Sequence, residues 1–216
     1  MNVEIKTIAL GELATNCLLL VSESGETAVV DPAVYDENLM FFLEENNVSK
    51  LDYILLTHGH FDHISGIMPL KKRYGGKIVI HEKDERCFQN SEYSLLSQFG
   101  VSVELPEKAD IVVTDGSVLP FGEDEIKVIH TPGHTAGSVC YLLNRFLIAG
   151  DTLFYMSMGR TDFPGGNVLQ MASSLKKLCE LDGDYFVWCG HGESTSLDFE
   201  RKNNPYCVAS RGRKNI

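Results

Sequence analysis

The chain has 216 residues, 44% of them hydrophobic, enough to bury a full core and better suited to one large domain spanning 1–216 than to two small ones. A formal net charge of −11 opposes general binding to nucleic acid or to an anionic membrane surface. No stretch approaches the roughly 18–20 apolar residues that cross a bilayer, and residues 1–8 alternate apolar and polar instead of forming a signal-peptide core, so a soluble, cytoplasmic protein is expected.

In chain order, the first half predicts strands near 3–10, 17–21 and 27–31, a helix over 36–46, a strand at 51–56, a helical stretch within 64–74 and a strand at 77–81. Leu39, Phe42 and Leu43 give the helix over 36–46 its apolar face, and Asp36 and Glu37 stand at its positive end. Lys71, Lys72 and Arg73 before Gly75 and Gly76 mark the stop of the helical stretch within 64–74. Pro69 either follows a helix start near Met68 or kinks the segment. The second half predicts strands near 111–113, 126–131, 138–143 and 146–150, a helix over 168–180 and a strand at 184–189. Asn167 is the expected N-cap of the last helix, with Val168, Ala172, Leu175 and Cys179 as its buried stripe. Glu123, Asp124 and Glu125 suggest an exposed hairpin turn, and Arg211 to Lys214 a solvated tail. Two mixed halves with helices outside predict two sheets packed face to face, an α/β four-layer αββα sandwich.

Cys17, Cys87, Cys140, Cys179, Cys189 and Cys207 form no Cys-x-x-Cys pair and lie mostly in apolar stretches, which points to buried free thiols. The chemistry lies elsewhere. Residues 57–63 place His58, His60, Asp62 and His63 within six positions, directly after the apolar strand at 51–56. His134, Asp151 and His191 each stand beside glycines after another apolar strand, so all four clusters can meet at one edge of the sheets. Imidazole and carboxylate suit zinc, iron or manganese, and the absence of cysteine opposes a closed structural zinc site. Seven ligands exceed one four-coordinate ion. Shared between two ions with Asp151 bridging, they leave open positions for water and substrate.

The pattern His58-x-His60-x-Asp62-His63, then His134, Asp151 and His191, resembles the ligand set of the metallo-β-lactamase superfamily over nearly the whole chain. The resemblance implies that His58, His60 and His134 hold a first metal, Asp62, His63 and His191 a second, and that Asp151 bridges. Zinc is the expected pair of ions, with iron or manganese as alternatives. Residues 131–138 and 150–154 are similar to the glyoxalase II branch, whose members hydrolyse glutathione thioesters. The chain stops about 25 residues after His191, which resembles the short bacterial form with its pattern at 159–166 and 200–205. The implied activity is hydrolysis of a small thioester such as S-lactoylglutathione by a hydroxide between the two ions, with Asp62 and Asp151 in catalytic roles. The expected partner is a small-molecule thioester, with no nucleic acid and no membrane, and oligomeric state is not readable.

Arg160 is a candidate contact for a substrate carboxylate, or else a loop-fixing partner of Asp162. Tyr155 and Phe163 are candidates for a substrate wall or for loop anchors, while His81 and His130 read as structural. A rival resemblance of residues 159–163 is to persulfide dioxygenases, which use one iron held by residues matching His58, His134 and Asp151. Thr152 favours the hydrolase branch. A lactonase or a non-catalytic metal-binding protein remain further alternatives. A β-lactamase role is disfavoured, because no export signal is visible and Asp151 replaces the zinc-ligating cysteine of the best-known lactamases.

Overall fold

The fold was analysed in a computed structural model that describes residues 3–210. Its elements in order are β1 (Val3–Leu10), β2 (Thr15–Ser22), β3 (Thr27–Val30), α1 (Glu37–Glu45), β4 (Tyr53–Leu55), α2 (Phe61–Ile64), α3 (Ile67–Tyr74), β5 (Lys77–His81), a 3₁₀ turn (Glu85–Phe88), α4 (Leu96–Phe99) and β6 (Ile111–Val113). The second half has β7 (Val118–Phe121), β8 (Asp124–His130), β9 (Val139–Leu143), β10 (Phe146–Gly150), β11 (Leu153–Phe154), β12 (Ser157–Met158), α5 (Val168–Cys179), β13 (Phe186–Cys189), β14 (Thr195–Ser196), α6 (Leu197–Asn203) and α7 (Pro205–Ser210).

Strands β1 to β6 form one six-stranded sheet in sequence order, and β14-β13-β10-β9-β8-β7 form the other. The sheets pack on each other through alternating side chains. On β2, Leu18 and Leu20 enter the core between the sheets, where they join Phe121, Val128, Tyr141 and Ile148, while Cys17 and Leu19 face the helical side. A strand buried on both faces reads as an unbroken apolar run, as β2 does. Leu39 and Leu43 of α1 and Ile67 and Leu70 of α3 cover the first sheet. Met171, Leu175 and Leu178 of α5 cover the second. The result is the expected four-layer αββα sandwich. A fully buried leucine in such a core contributes about 1.5–3 kcal/mol.

Local chemistry sets the helix ends. Asp36 caps α1 by accepting the Leu39 amide at 3.0 Å, and Asn167 caps α5 by accepting the amides of Leu169 and Gln170. Pro69 falls in the first turn of α3, where its missing N–H costs no helical bond, so the segment runs on without a break. The buried stripe of α5 differs from expectation. It runs through Met171, Ser174, Leu175, Leu178 and Cys179, while Val168 is exposed and Ala172 faces solvent. Packing on the second sheet selects the Met171 face, which apolar spacing alone did not distinguish from the Val168 face. The hairpin turn lies at Gly122 and Glu123, with Asp124 and Glu125 already in β8. All six cysteines are buried. Residues 211–214 lie outside the described residues. Among the described residues, no helix is long and apolar enough to cross a membrane.

Candidate metal centre

Strands β3, β4 and β5 run parallel in the first sheet, and β10 and β13 run parallel in the second. Their carboxyl ends deliver the chemistry, as open α/β sheets do. His58 and His60 follow β4, Asp62 and His63 lie on α2, His134 follows β8, Asp151 follows β10 and His191 follows β13. Gly150 and Gly190 are required by close approach. Gly150 has φ +49°, and a Cβ there would stand 2.5 Å from the Thr57 hydroxyl, while a Cβ on Gly190 would collide with the Asp151 carboxylate.

The seven side chains converge. Their ligand atoms form the overlapping groups His58/His60/His134, His58/His63/Asp151 and Asp62/His63/His191, with all atoms of each group within 4.8 Å of one another. Nδ1 of His60 lies 3.1 Å from Nε2 of His58 and 2.9 Å from Nε2 of His134. Nε2 of His63 and Nε2 of His191 are 3.3 Å apart. Asp151 faces both sides, with Oδ2 at 3.4 Å from His134 and 3.6 Å from His191, and Oδ1 at 3.5 Å from His63. Asp62 Oδ2 is 3.3 Å from His191 and 3.5 Å from His63.

The outer nitrogens decide which atoms point inward. Nδ1 of His134 donates to the Arg160 carbonyl at 2.8 Å, and Nδ1 of His191 to the Leu13 carbonyl at 2.9 Å. Nδ1 of His63 donates to Asp31 at 2.9 Å. The Thr57 hydroxyl donates to Asp31 at 2.6 Å, so it accepts from Nδ1 of His58 at 3.1 Å. Four Nε2 lone pairs therefore face the interior. Packed nitrogen lone pairs repel one another unless a cation stands between them. Oδ1 of Asp151 is buried without a hydrogen-bond partner, which also fits a cation. The donor set thus fits divalent metal: His58, His60 and His134 on one side, Asp62, His63 and His191 on the other, and Asp151 between.

Burial, reinforced by neighbouring histidine charge, holds His58 and His60 well below the usual imidazole range. His63 loses hydration on burial, but Asp62, Asp31 and Asp151 outweigh this and raise it to about 10. Burial would raise Asp62, yet His63 and His191 hold it below the ordinary carboxylate range. His58 and His60 are thus neutral and ready to bind metal, whereas the three carboxylates hold a proton on His63, which a cation bound at Nε2 would displace.

Sequence reasoning missed two buried carboxylates. Asp31, at φ +51°, accepts the Thr57 amide as well as the Thr57 hydroxyl and His63. Its position, directly after the apolar end of β3, repeats the signature of Asp151 and was readable in principle. Asp84 accepts the amides of Gly59 and Gly137 at 3.0 and 2.7 Å and the Thr135 hydroxyl at 2.6 Å, so it ties the His58/His60 loop to the His134 loop. Nothing in its charged surroundings in the sequence announces that role.

Around the centre, Arg160 makes a bidentate pair with Asp162, both contacts at 2.7 Å, and its guanidinium stands 3.9 Å over the Phe163 ring. Both charged groups remain exposed. Phe163 meets His60 edge-on at 5.9 Å. Tyr155 stacks on Phe199 and also lines a cleft beside His191. His81 and His130 stack on each other at 4.0 Å and bridge the two sheets away from the ligand groups.

Residues 10–191 match the sequence profile of the Metallo-beta-lactamase superfamily. Hydroxyacylglutathione hydrolase GloC of Haemophilus influenzae is 33% identical over 213 residues, covering 95% of this chain and 98% of that protein. Among solved structures, BLEG-1 B3 metallo-beta-lactamase superposes with a TM-score of 0.89 at 31% identity, covering 95% of this chain and all of that one. TTHA1623 in a di-iron-bound form superposes with a TM-score of 0.83 at 29% identity, covering 93% of this chain and 99% of that one.

Proposed function

This chain belongs to the metallo-beta-lactamase superfamily, and from that premise we propose that it is a metal-dependent hydrolase of a small thioester, such as S-lactoylglutathione or a related hydroxyacylglutathione. The observation that carries the two-metal reading is the position of Asp151, whose Oδ2 lies within 3.6 Å of both His134 and His191 and so faces both ligand groups. The hydroxyacylglutathione hydrolase relative supports the substrate class. The di-iron form of a structural relative supports a pair of ions. Zinc is our first choice for this chain, with iron and manganese suited to the same donors.

Divalent ions held by these seven residues would supply Lewis acidity at the carbonyl oxygen and acidify a water from a pKa of about 15.7 toward about 7. The protein supplies the rest. Asp31, Thr57 and the carbonyls of Leu13 and Arg160 hold four imidazoles in one tautomer. Asp62, on α2 between His60 and His63, stands where it can accept and pass on the proton of the attacking water. A thiolate with a pKa near about 8.5 leaves without a dedicated general acid.

The structural likeness to a B3 metallo-beta-lactamase keeps β-lactam hydrolysis as a second reading, since it needs the same attack on a carbonyl. Loss of S-lactoylglutathione, followed with metal-loaded protein and His58→Ala as the blank, tests the thioester reading. Hydrolysis by the native chain and not by the variant supports it. Turnover of a β-lactam but of no thioester would move the assignment to the second reading, and oxygen uptake with glutathione persulfide on a single iron would move it to a dioxygenase.

A further inference from the structure

We propose that the cleft walled by Leu13, Phe61, Phe99, Val101 and Val103 is the subsite for an apolar arm of the substrate, so the preferred thioester carries an alkyl chain at one end. The inference rests on the hydrolase reading above and goes beyond it in naming what lies next to the reacting carbonyl.

The cleft is continuous with the metal centre. Asp62 forms part of its lining, and Phe61 immediately precedes Asp62 on α2. Leu13 sits on the loop between β1 and β2, and the carbonyl of this same residue holds Nδ1 of His191. An occupant touching Leu13 and Phe61 therefore lies beside the Asp62/His63/His191 group. The cavity measures about 400 Å³, room for a chain of several carbons.

Its chemistry selects the occupant. Leu13 and Phe99 are both 47% exposed, and the rings of Phe61 and Phe99 pack at 4.8 Å, so a large apolar surface faces solvent beside charged ligands. Glu12 and Asp62 are the charged residues of the lining, and no lysine or arginine contributes. The carboxylates of a glutathione moiety would meet like charge here. Arg160, by contrast, stands on the His134 side, where its carbonyl binds that ligand. An apolar arm in the cleft would displace water from Leu13 and Phe99 and leave any anionic end for the opposite side.

The test uses zinc-loaded protein and two series of neutral thioesters. One lengthens the acyl group from acetyl to hexanoyl on N-acetylcysteamine, and the other lengthens the thiol from ethanethiol to hexanethiol on an acetyl group. We expect kcat/KM to rise about threefold per methylene in one series, which identifies the end that occupies the cleft. Phe99→Asp flattens that rise, while Phe41→Asp, on the exposed face of α1, retains it. S-hexyl-N-acetylcysteamine, a thioether with no thioester carbonyl to attack, shifts the methyl resonances of Leu13, Val101 and Val103. Turnover that is flat in both series overturns the proposal, as does self-association of the protein that buries Leu13 and Phe99. Methyl shifts without any thioester turnover would uphold the apolar subsite and remove the hydrolase reading.

Discussion

Asp31 and His63 form a buried pair, with Oδ2 of the carboxylate 2.9 Å from Nδ1 of the imidazole and neither side chain more than 3% exposed. The same oxygen takes the Thr57 hydroxyl, which in turn accepts from His58. One carboxylate therefore orients a histidine in each ligand group. Asp31→Asn is expected to weaken zinc binding about 10- to 100-fold, measured by competition with a chromogenic chelator. Unchanged affinity for both ions would remove this orienting role.

Asp84 joins two loops that carry ligands but touches none of them directly. Asp84→Ala leaves the amides of Gly59 and Gly137 unpaired in the interior, each worth about 1–3 kcal/mol, while the Thr135 hydroxyl keeps Ser138 at 2.7 Å. We expect urea denaturation to show a loss of roughly 2–6 kcal/mol. Asp84→Asn keeps the shape and one acceptor oxygen, and should lose clearly less. Equal stability of the native and Ala forms would contradict the tie.

His81 is lowered to about 4 by burial, then by the charge of its stacked partner His130 and of Lys83, with Asp115 opposing. Its folded value lies below the unfolded one near about 6.5. The unfolded chain thus takes up the proton first, and the contribution of His81 is present above pH ~6.5 and lost as pH falls toward 4. Metal-loaded protein should lose stability across that window, and His81→Gln should lose less. An imidazole resonance of His81 titrating near pH 6.5 would refute the assignment.

Arg160 is held by Asp162 and Phe163 yet stays exposed. Because exposed pairs contribute little, Arg160→Ala should leave Tm within about 2 °C. If the guanidinium also receives a substrate carboxylate, KM for an anionic thioester should rise about tenfold with kcat little changed. Equal KM values for anionic and neutral thioesters in both proteins would reduce Arg160 to a loop-fixing role.

Most strands and the long helices were legible because their signals are local, though β7 was not among the expected strands. Thr27–Val30 and Phe146–Gly150 are short apolar runs ending in turn or ligand residues, and Asn167 announces α5. The face of α5 was not legible, since two overlapping stripes satisfy a 3.6-residue period and the second sheet selects one. Short elements such as β14 and α4 carry too few residues for a pattern. The seven candidate ligands are recognisable from their spacing beside glycines, and the fold brings all seven together. Asp31 and Asp84 act through partners 25 to 53 positions away, a relation that exists only once the chain has folded.

The most direct measurement is the rate of S-lactoylglutathione hydrolysis while chelator-stripped protein is titrated with zinc and its metal content is counted. We expect little activity through the first equivalent and a plateau at two, with His191→Ala binding one ion and remaining slow. Full activity at one equivalent, shared by His191→Ala, would contradict a two-metal hydrolase in which Asp151 serves both ions.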